Sequence, residues 1–284
     1  MIAVLGGLGA AVAFGIATLA YSRSTRLLGP PTVLAWVMLV GLALVAPAVL
    51  LFGLPVTLTP ERVAWLVLIG FGNVGGLLVE FVALRMGGQV GIVATIASTE
   101  GAIAAVIAVI AGEPLSLAVA AVLAVVVVGV ALTTIVPGEV EAIGAPAGRR
   151  VALLSAVAAL AFGVGLFAVG RLGDDVPVVW VLVPARVLGV FAIAAPLALA
   201  GRLRFDRRAA PFIVVAGVAE VLGFVSFAIG AREAIAVSAV LVSQFASVSV
   251  VLAWLMYGER LSRIQLLGVA LVIAGVAAVA ALQA

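Results

Sequence analysis

Cysteine, histidine and lysine are all missing from these 284 residues, and aspartate occurs only at Asp174, Asp175 and Asp206. Each absence removes a chemistry. Without cysteine there is no disulfide and no thiolate nucleophile; without histidine as well, the usual structural and catalytic metal sites have no ligands. Rhomboid-like proteases that depend on histidine and zinc-dependent membrane proteases are therefore ruled out. The three aspartates all fall in loop-like stretches, so a membrane aspartyl protease lacks its paired acids. A Walker phosphate loop needs a lysine to reach the phosphates, which argues against an ATP-driven pump. The sequence reads as a non-enzyme with no cofactor and no metal site.

Charge is scarce too. Only 10% of the residues are charged and 66% are hydrophobic, whereas soluble domains run near a quarter charged. One water-soluble core cannot absorb that excess, so the solvent is a bilayer. All 15 basic residues are arginines, spread through short gaps between apolar runs. A nucleic-acid binder would gather them on one soluble face, and no nucleic-acid partner is expected.

Apolar runs recur near 2–20, 32–52, 63–84, 91–111, 117–136, 151–170, 177–200, 211–230, 234–257 and 264–282. Each is long enough to cross a hydrocarbon core of about 30 Å. The first has no basic segment before it and exceeds a signal-peptide core, which predicts a first membrane helix and no cleaved leader. The expected fold is an all-α integral membrane protein of ten transmembrane helices. The longest gap, "PGEVEAIGAPAGRR" at 137–150, holds two prolines, three glycines and mixed charge, and reads as a linker between units 1–136 and 151–284.

The two units resemble one another. Shifted by 146 residues, Phe81 falls on Phe227, Gly112–Glu113 on Gly258–Glu259, Leu115–Ser116 on Leu261–Ser262 and Gly129–Val130 on Gly275–Val276. Nearer the start of each unit the shift lengthens, and Phe14–Gly15 matches Phe162–Gly163 while Ala46–Pro47 matches Ala195–Pro196. An ordered series of this kind points to one five-helix unit used twice. Five is odd, so the second copy enters the membrane from the opposite side and the repeats have inverted topology. Many secondary transporters are built this way, with a site near the midplane where the repeats meet.

The segments "GIVATIASTEGAIAAVIAVIAGEPLSLAVAAVLAVVVVGVAL" (91–132) and "VSAVLVSQFASVSVVLAWLMYGERLSRIQLLGVALVIAGVAAV" (237–279) resemble the two half-ends of the drug/metabolite transporter superfamily, EamA branch. The marks are Gly-Glu-x-Leu-Ser after the fourth and ninth runs and Gly-Val in the fifth and tenth. Many members carry Glu-Pro where this chain has Glu100–Gly101. The acid matches, but the proline that would break the helix is absent. The resemblance implies a polytopic carrier of small metabolites working by alternating access in a bacterial or archaeal inner membrane.

Four charges fall inside predicted spans: Glu80, Glu100, Arg186 and Glu220. A charged residue at a helix centre costs roughly 2.5–3.5 kcal/mol on insertion scales, so such groups face a bundle interior and pair with one another. Asn73, Gly76, Leu77 and Glu80 share a face of the third helix. Thr95, Ser98, Thr99 and Glu100 lie on the fourth helix, and Ser243, Gln244 and Ser247 on the ninth, where Gln244 matches Ser98 by the repeat shift. Helices three, four, eight and nine are expected to line a shared cavity. The candidate substrate-binding residues are Asn73, Glu80, Ser98, Thr99, Glu100, Arg186, Glu220, Ser243 and Gln244.

For each of these a plainer role stands beside the functional one. Serine and threonine hydroxyls in membrane helices often bond a carbonyl one turn back, and asparagine or glutamine can serve helix packing. Arg186 can anchor a structural ion pair or meet a substrate carboxylate. Glu80 lies close enough to its helix end to reach the interface, while Glu100 and Glu220 lie deepest and can exchange a proton or hold a cationic group. Gly72-x-x-x-Gly76 lets helix backbones approach closely. Glu113 and Glu259 are expected to cap or pair locally at their turns. Trp36, Trp180 and Trp254 suit either a cavity wall or an interfacial belt, and the belt is the expectation for Trp180.

Counting arginines in alternate gaps gives a bias. Arg62, Arg171 and Arg232 lie on the side of the termini. On the other lie Arg23, Arg26, Arg85, Arg149, Arg150, Arg202, Arg204, Arg207, Arg208, Arg260 and Arg263. Positive loops stay in the cytoplasm, which places both termini outside it; the resemblance implies the reverse. The function expected is secondary active transport, in the direction of export, as a monomer or homodimer, of small polar or amphoteric metabolites such as amino acids by alternating access at a midplane cavity, with protons as candidate co-substrate. The alternative is export of cationic drugs, favoured if Arg186 is fully paired. A structural or sensing role in the bilayer is the third reading.

Overall fold

The computed structural model describes residues 1–52, 58–86, 93, 96–134, 146–172, 176–257 and 262–282, and among these every regular element is a helix. In chain order they are α1 (Ile2–Leu28), α2 (Pro30–Phe52), α3 (Pro60–Arg85), α4 (Glu100–Ile110) and α5 (Leu117–Thr134). The second half holds α6 (Pro146–Arg171), α7 (Val179–Leu199), α8 (Ala210–Ala231), α9 (Ile235–Val242 and Phe245–Tyr257) and α10 (Arg263–Leu282). Eight of these, all but α4 and α5, are long and apolar enough to span a bilayer, and α4 and α5 are shorter apolar helices. The expected count of ten spans thus becomes eight long helices and two short ones among the described residues.

Boundaries moved for local reasons. Proline, whose missing N–H is no loss in a first turn, opens α2, α3 and α6 at Pro30, Pro60 and Pro146. The start of α6 therefore takes residues 146–150 from the segment read as a linker, and 137–145 lie outside the described residues. At the other end of a run, α1 continues eight residues past its expected limit at 20, as far as Leu28. Ser24 bonds the Ala20 carbonyl at 2.8 Å and Thr25 that of Tyr21 at 2.7 Å. The hydroxyls are satisfied by their own helix, so a polar tail stays helical.

Helices pack in equivalent pairs. α1 lies on α8 as α3 lies on α6, while α2 meets α7, α4 meets α9 and α5 meets α10. Exchanging each helix with the one five places on maps this set onto itself. Partners in the last three pairs run antiparallel. Along α5 and α10, Val126 meets Gly275, Gly129 meets Val272 and Thr133 meets Gly268; between α2 and α7, Met38 meets Gly189 and Gly41 meets Arg186. Small residues make these crossings: a methyl on Gly6 would run into the Gly230 backbone, and one on Gly72 into Gly165. Without a hydrophobic drive between helices in lipid, such close backbone contact supplies the association.

Two of the helical runs are interrupted. The chain turns at Ser98–Thr99 ahead of α4 and at Ser243–Gln244 inside α9, nearly equivalent positions in the two halves. The break before Glu100 forms without the missing proline. Thr99 N–H bonds the Ile96 carbonyl at 3.1 Å, and Gln244 N–H bonds that of Leu241 at 3.1 Å. These tighter i to i−3 bonds replace the α-helical ladder there. In α7 the ladder widens instead to a π-helical stretch, Val190–Ala194, just ahead of Pro196, which has no N–H to give.

Candidate functional site

The deepest charge is Arg186 on α7, fully buried, with its Nη1 2.8 Å from Oε2 of Glu220 on α8. Tyr21 of α1 donates its hydroxyl to the other Glu220 oxygen at 3.1 Å. Nη1 also approaches the Met38 sulfur of α2 at 3.3 Å, and the guanidinium carbon stands 5.8 Å from the Phe224 ring centroid, within cation–π range. Gly41 makes the room: a side chain there would collide with the Arg186 stem. Four helices thus converge on one ion pair, yet Nε and Nη2 of Arg186 have no hydrogen-bond partner among the described residues.

Two further acids belong to the same interior. Glu80 on α3 and Glu100 on α4 are both half-buried and close enough to act on each other electrostatically, and Tyr21 feels Glu80 as well as Glu220 and Arg186. Among the described residues no donor reaches either carboxylate. Glu220 is thus paired with Arg186, while Glu80 and Glu100 have each other as charged neighbours. Asn73, two turns before Glu80 on α3, is buried, and its Oδ1 has no donor among the described residues.

The hydroxyls take the plainer role. Thr99 Oγ1 bonds the Ile96 carbonyl at 2.7 Å and Ser243 Oγ that of Val240 at 2.7 Å, each closing its helix interruption. Gln244 gives its Nε2 to Val240 at 3.3 Å and leaves Oε1 unmet although the residue is buried. Ser98 is buried and Thr99 exposed. Ser247 pairs with Thr133 of α5 at 2.8 Å, away from the acids. Thr95 lies outside the described residues.

Beside helices three, four, eight and nine, expected to line a shared cavity, α7 and α1 also contribute to the polar centre. Glu220 on α8 turns towards α7 and α1, so Arg186 and Tyr21 complete the polar centre. Nothing in the sequence singled out Tyr21, because the first apolar run stops one residue short of it. Trp36 also finds its partners: its indole N–H meets the Arg204 carbonyl at 2.8 Å and its ring meets Phe205, near the start of α2. Glu113 does cap a helix, but not a local one. Its carboxylate takes the N–H groups of Ile235 and Ala236, more than a hundred residues on, at 3.1 and 2.9 Å.

Comparison with known proteins agrees with this architecture. No curated protein matches the chain. A solved crystal structure is 23% identical, spans 99% of this chain and 97% of its own, and superposes with a TM-score of 0.81, a likeness of fold. Residues 1–135 and again 149–281 match the EamA-like transporter family, one copy for each half. With its apolar helices, its twofold packing and a family match over nearly the whole length, the chain belongs to the EamA-like transporters of the drug/metabolite transporter superfamily and is a multi-pass membrane protein.

Proposed function

We propose that the protein is a secondary active exporter of small polar or amphoteric metabolites, amino acids foremost, in a bacterial or archaeal inner membrane. Ten crossings form two inverted five-helix repeats, and alternating access exposes the polar centre to each side in turn. The antiparallel pairing of equivalent helices supports the inversion, and the helix interruptions match the discontinuous helices typical of such sites.

The observation that carries the substrate class is the pair of half-buried acids Glu80 and Glu100, with no cation on either among the described residues, beside the buried Arg186–Glu220 pair. Glu80 and Glu100 are free to hold an ammonium group or protons, and the unused Nε and Nη2 of Arg186 can take a carboxylate oxygen. In proteoliposomes, Glu100→Gln and Glu80→Gln are expected to lower uptake of labelled amino acids by about tenfold or more, the scale on which a desolvated charge contact acts. Unchanged uptake in both variants would remove the acids from the site. Transport indifferent to an imposed pH gradient would remove protons as co-substrate.

A second reading, export of cationic compounds, gains from the burial of Arg186 against Glu220. Flux of quaternary ammonium compounds without amino acid flux selects it. The arginine bias sets the orientation: the face of Ala3 and Glu113 lies outside the cytoplasm. A fluorescent protein fused to the C-terminus is expected to stay dark, and bright fusions reverse the assignment.

A further inference from the structure

The Gly-Glu turn after α4 stands out by its repetition but plays no part in the polar centre. Its geometry is specific. Glu113 N–H bonds the Ala108 carbonyl at 2.9 Å and Gly112 N–H that of Val109 at 3.0 Å, the paired bonds of a Schellman ending. Gly112 supplies the positive φ of 96° that this ending requires. The chain leaves α4 so that Glu113, the next residue, points out of its own half. Its carboxylate then accepts both leading N–H groups of α9, donors that no intrahelical carbonyl can serve.

The neighbouring contacts fall at the same end of the bundle. Arg232, in the α8–α9 turn, gives Nη2 to the Val176 carbonyl at 2.6 Å, and Glu233 beside it accepts the Ala3 N–H at the start of α1. That last bond holds the exposed Glu233 carboxyl below its ordinary range. A pocket lies between these groups, bounded by Ala108, Phe167, Arg171, Ala231, Arg232 and Ile235. The ends of α1, α4, α7, α8 and α9 are therefore tied together around it by side chains reaching from one element to another.

We propose that Glu113 is the latch of a gate on this face: its grip on the first turn of α9 holds the face shut, and it releases and re-forms as the bundle opens there. The idea rests on the alternating-access reading, yet its test reads opening directly and needs no transported substrate. The natural sequence has no cysteine, so a single introduced thiol reports on its own surroundings. Ala231→Cys, on the buried rim of the pocket, is expected to react slowly with a membrane-impermeant maleimide in vesicles. Adding Glu113→Ala is expected to speed that reaction roughly ten- to hundredfold, the range set by losing charge-assisted hydrogen bonds. Glu113→Gln keeps one acceptor oxygen and is expected to fall between. Ala35→Cys, buried near the opposite end of α2, is expected to stay slow or become slower, because opening one face closes the other. An unchanged rate at residue 231 overturns the latch. Equal acceleration at residues 231 and 35 also overturns it, since that marks general loosening. Selective opening without any link to flux would retain the latch and count against the transport reading instead.

Discussion

Glu220→Ala is expected to cost the folded protein about 3–5 kcal/mol, because it leaves Arg186 buried with no counter-charge. The magnitude comes from the surroundings. Arg186 has no exposed surface, and its other close neighbours, the Met38 sulfur and the Phe224 ring, are weak partners for a cation. Arg186→Met is expected to be costly as well, since it strands Glu220 with only the Tyr21 hydroxyl. The double variant Arg186→Met with Glu220→Leu removes both charges and keeps the volume, so it is expected to regain most of the loss. Buried ion pairs can often be replaced by apolar residues at little net cost. Thermal unfolding in detergent of the two single variants and the double checks this. Singles as stable as the parent, or a double that loses the sum of both, would mean the pair is not acting as a desolvated unit. Flux through the double variant then separates architecture from transport: a stable but inactive protein places Arg186 or Glu220 in the substrate path.

The second large effect is expected at Gly101. α4 crosses α9 there, and a Cβ on this residue would overlap the carbonyl of Ala239 and press on Ser243. Ala239 belongs to the stretch of α9 just ahead of its interruption and Ser243 to the interruption itself. Overpacking costs typically 1–3 kcal/mol and sometimes more. Gly101→Val, with two further methyls, is expected to exceed about 3 kcal/mol on that scale, lowering the unfolding temperature and the yield of folded protein. Ala239→Gly is expected to give no rescue, because the obstacle is a backbone oxygen. Gly75→Ala is the control: nothing stands within 4 Å of its added methyl, and alanine favours a helix over glycine by about 0.8–1.0 kcal/mol. A tolerated Gly101→Val, with Gly75→Ala equally neutral, would show that α4 and α9 do not touch as described.

How far the sequence reveals this molecule depends on what each residue says locally. Repeated Gly112–Glu113 and Gly258–Glu259 mark the duplication in the sequence, and at Gly112 the helix ending requires glycine, while Gly258–Glu259 lie outside the described residues. Apolar run length locates the helices, but it cuts α1 short because Ser22, Arg23, Ser24, Thr25 and Arg26 look like a loop until the Ser24 and Thr25 hydroxyls are seen bonded to the helix. The charges at Glu80, Glu100, Arg186 and Glu220 stand out from their cost in lipid. Their partners do not. Which acid faces Arg186 is decided by packing between α7, α8 and α1, and no periodicity within one helix encodes it. Gly41 shows the same limit: its meaning appears only when the arginine stem passes over it. The missing proline at residue 101 is a weak guide to the break before Glu100, since the tightened Ile96–Thr99 turn forms without one.

The Arg186–Glu220 pair is not duplicated, although the helices around it are. Matching Pro47 with Pro196 sets Val37 opposite Arg186, so one half carries a cation where the other carries an aliphatic side chain. Perfect duplication would leave inward and outward conformers of a carrier isoenergetic, related by a half-turn about an axis in the membrane plane. A lone ionic clasp breaks that degeneracy. On the alternating-access reading, the resting molecule then has a preferred facing written into its second half, and cargo has to supply the free energy that tips it over.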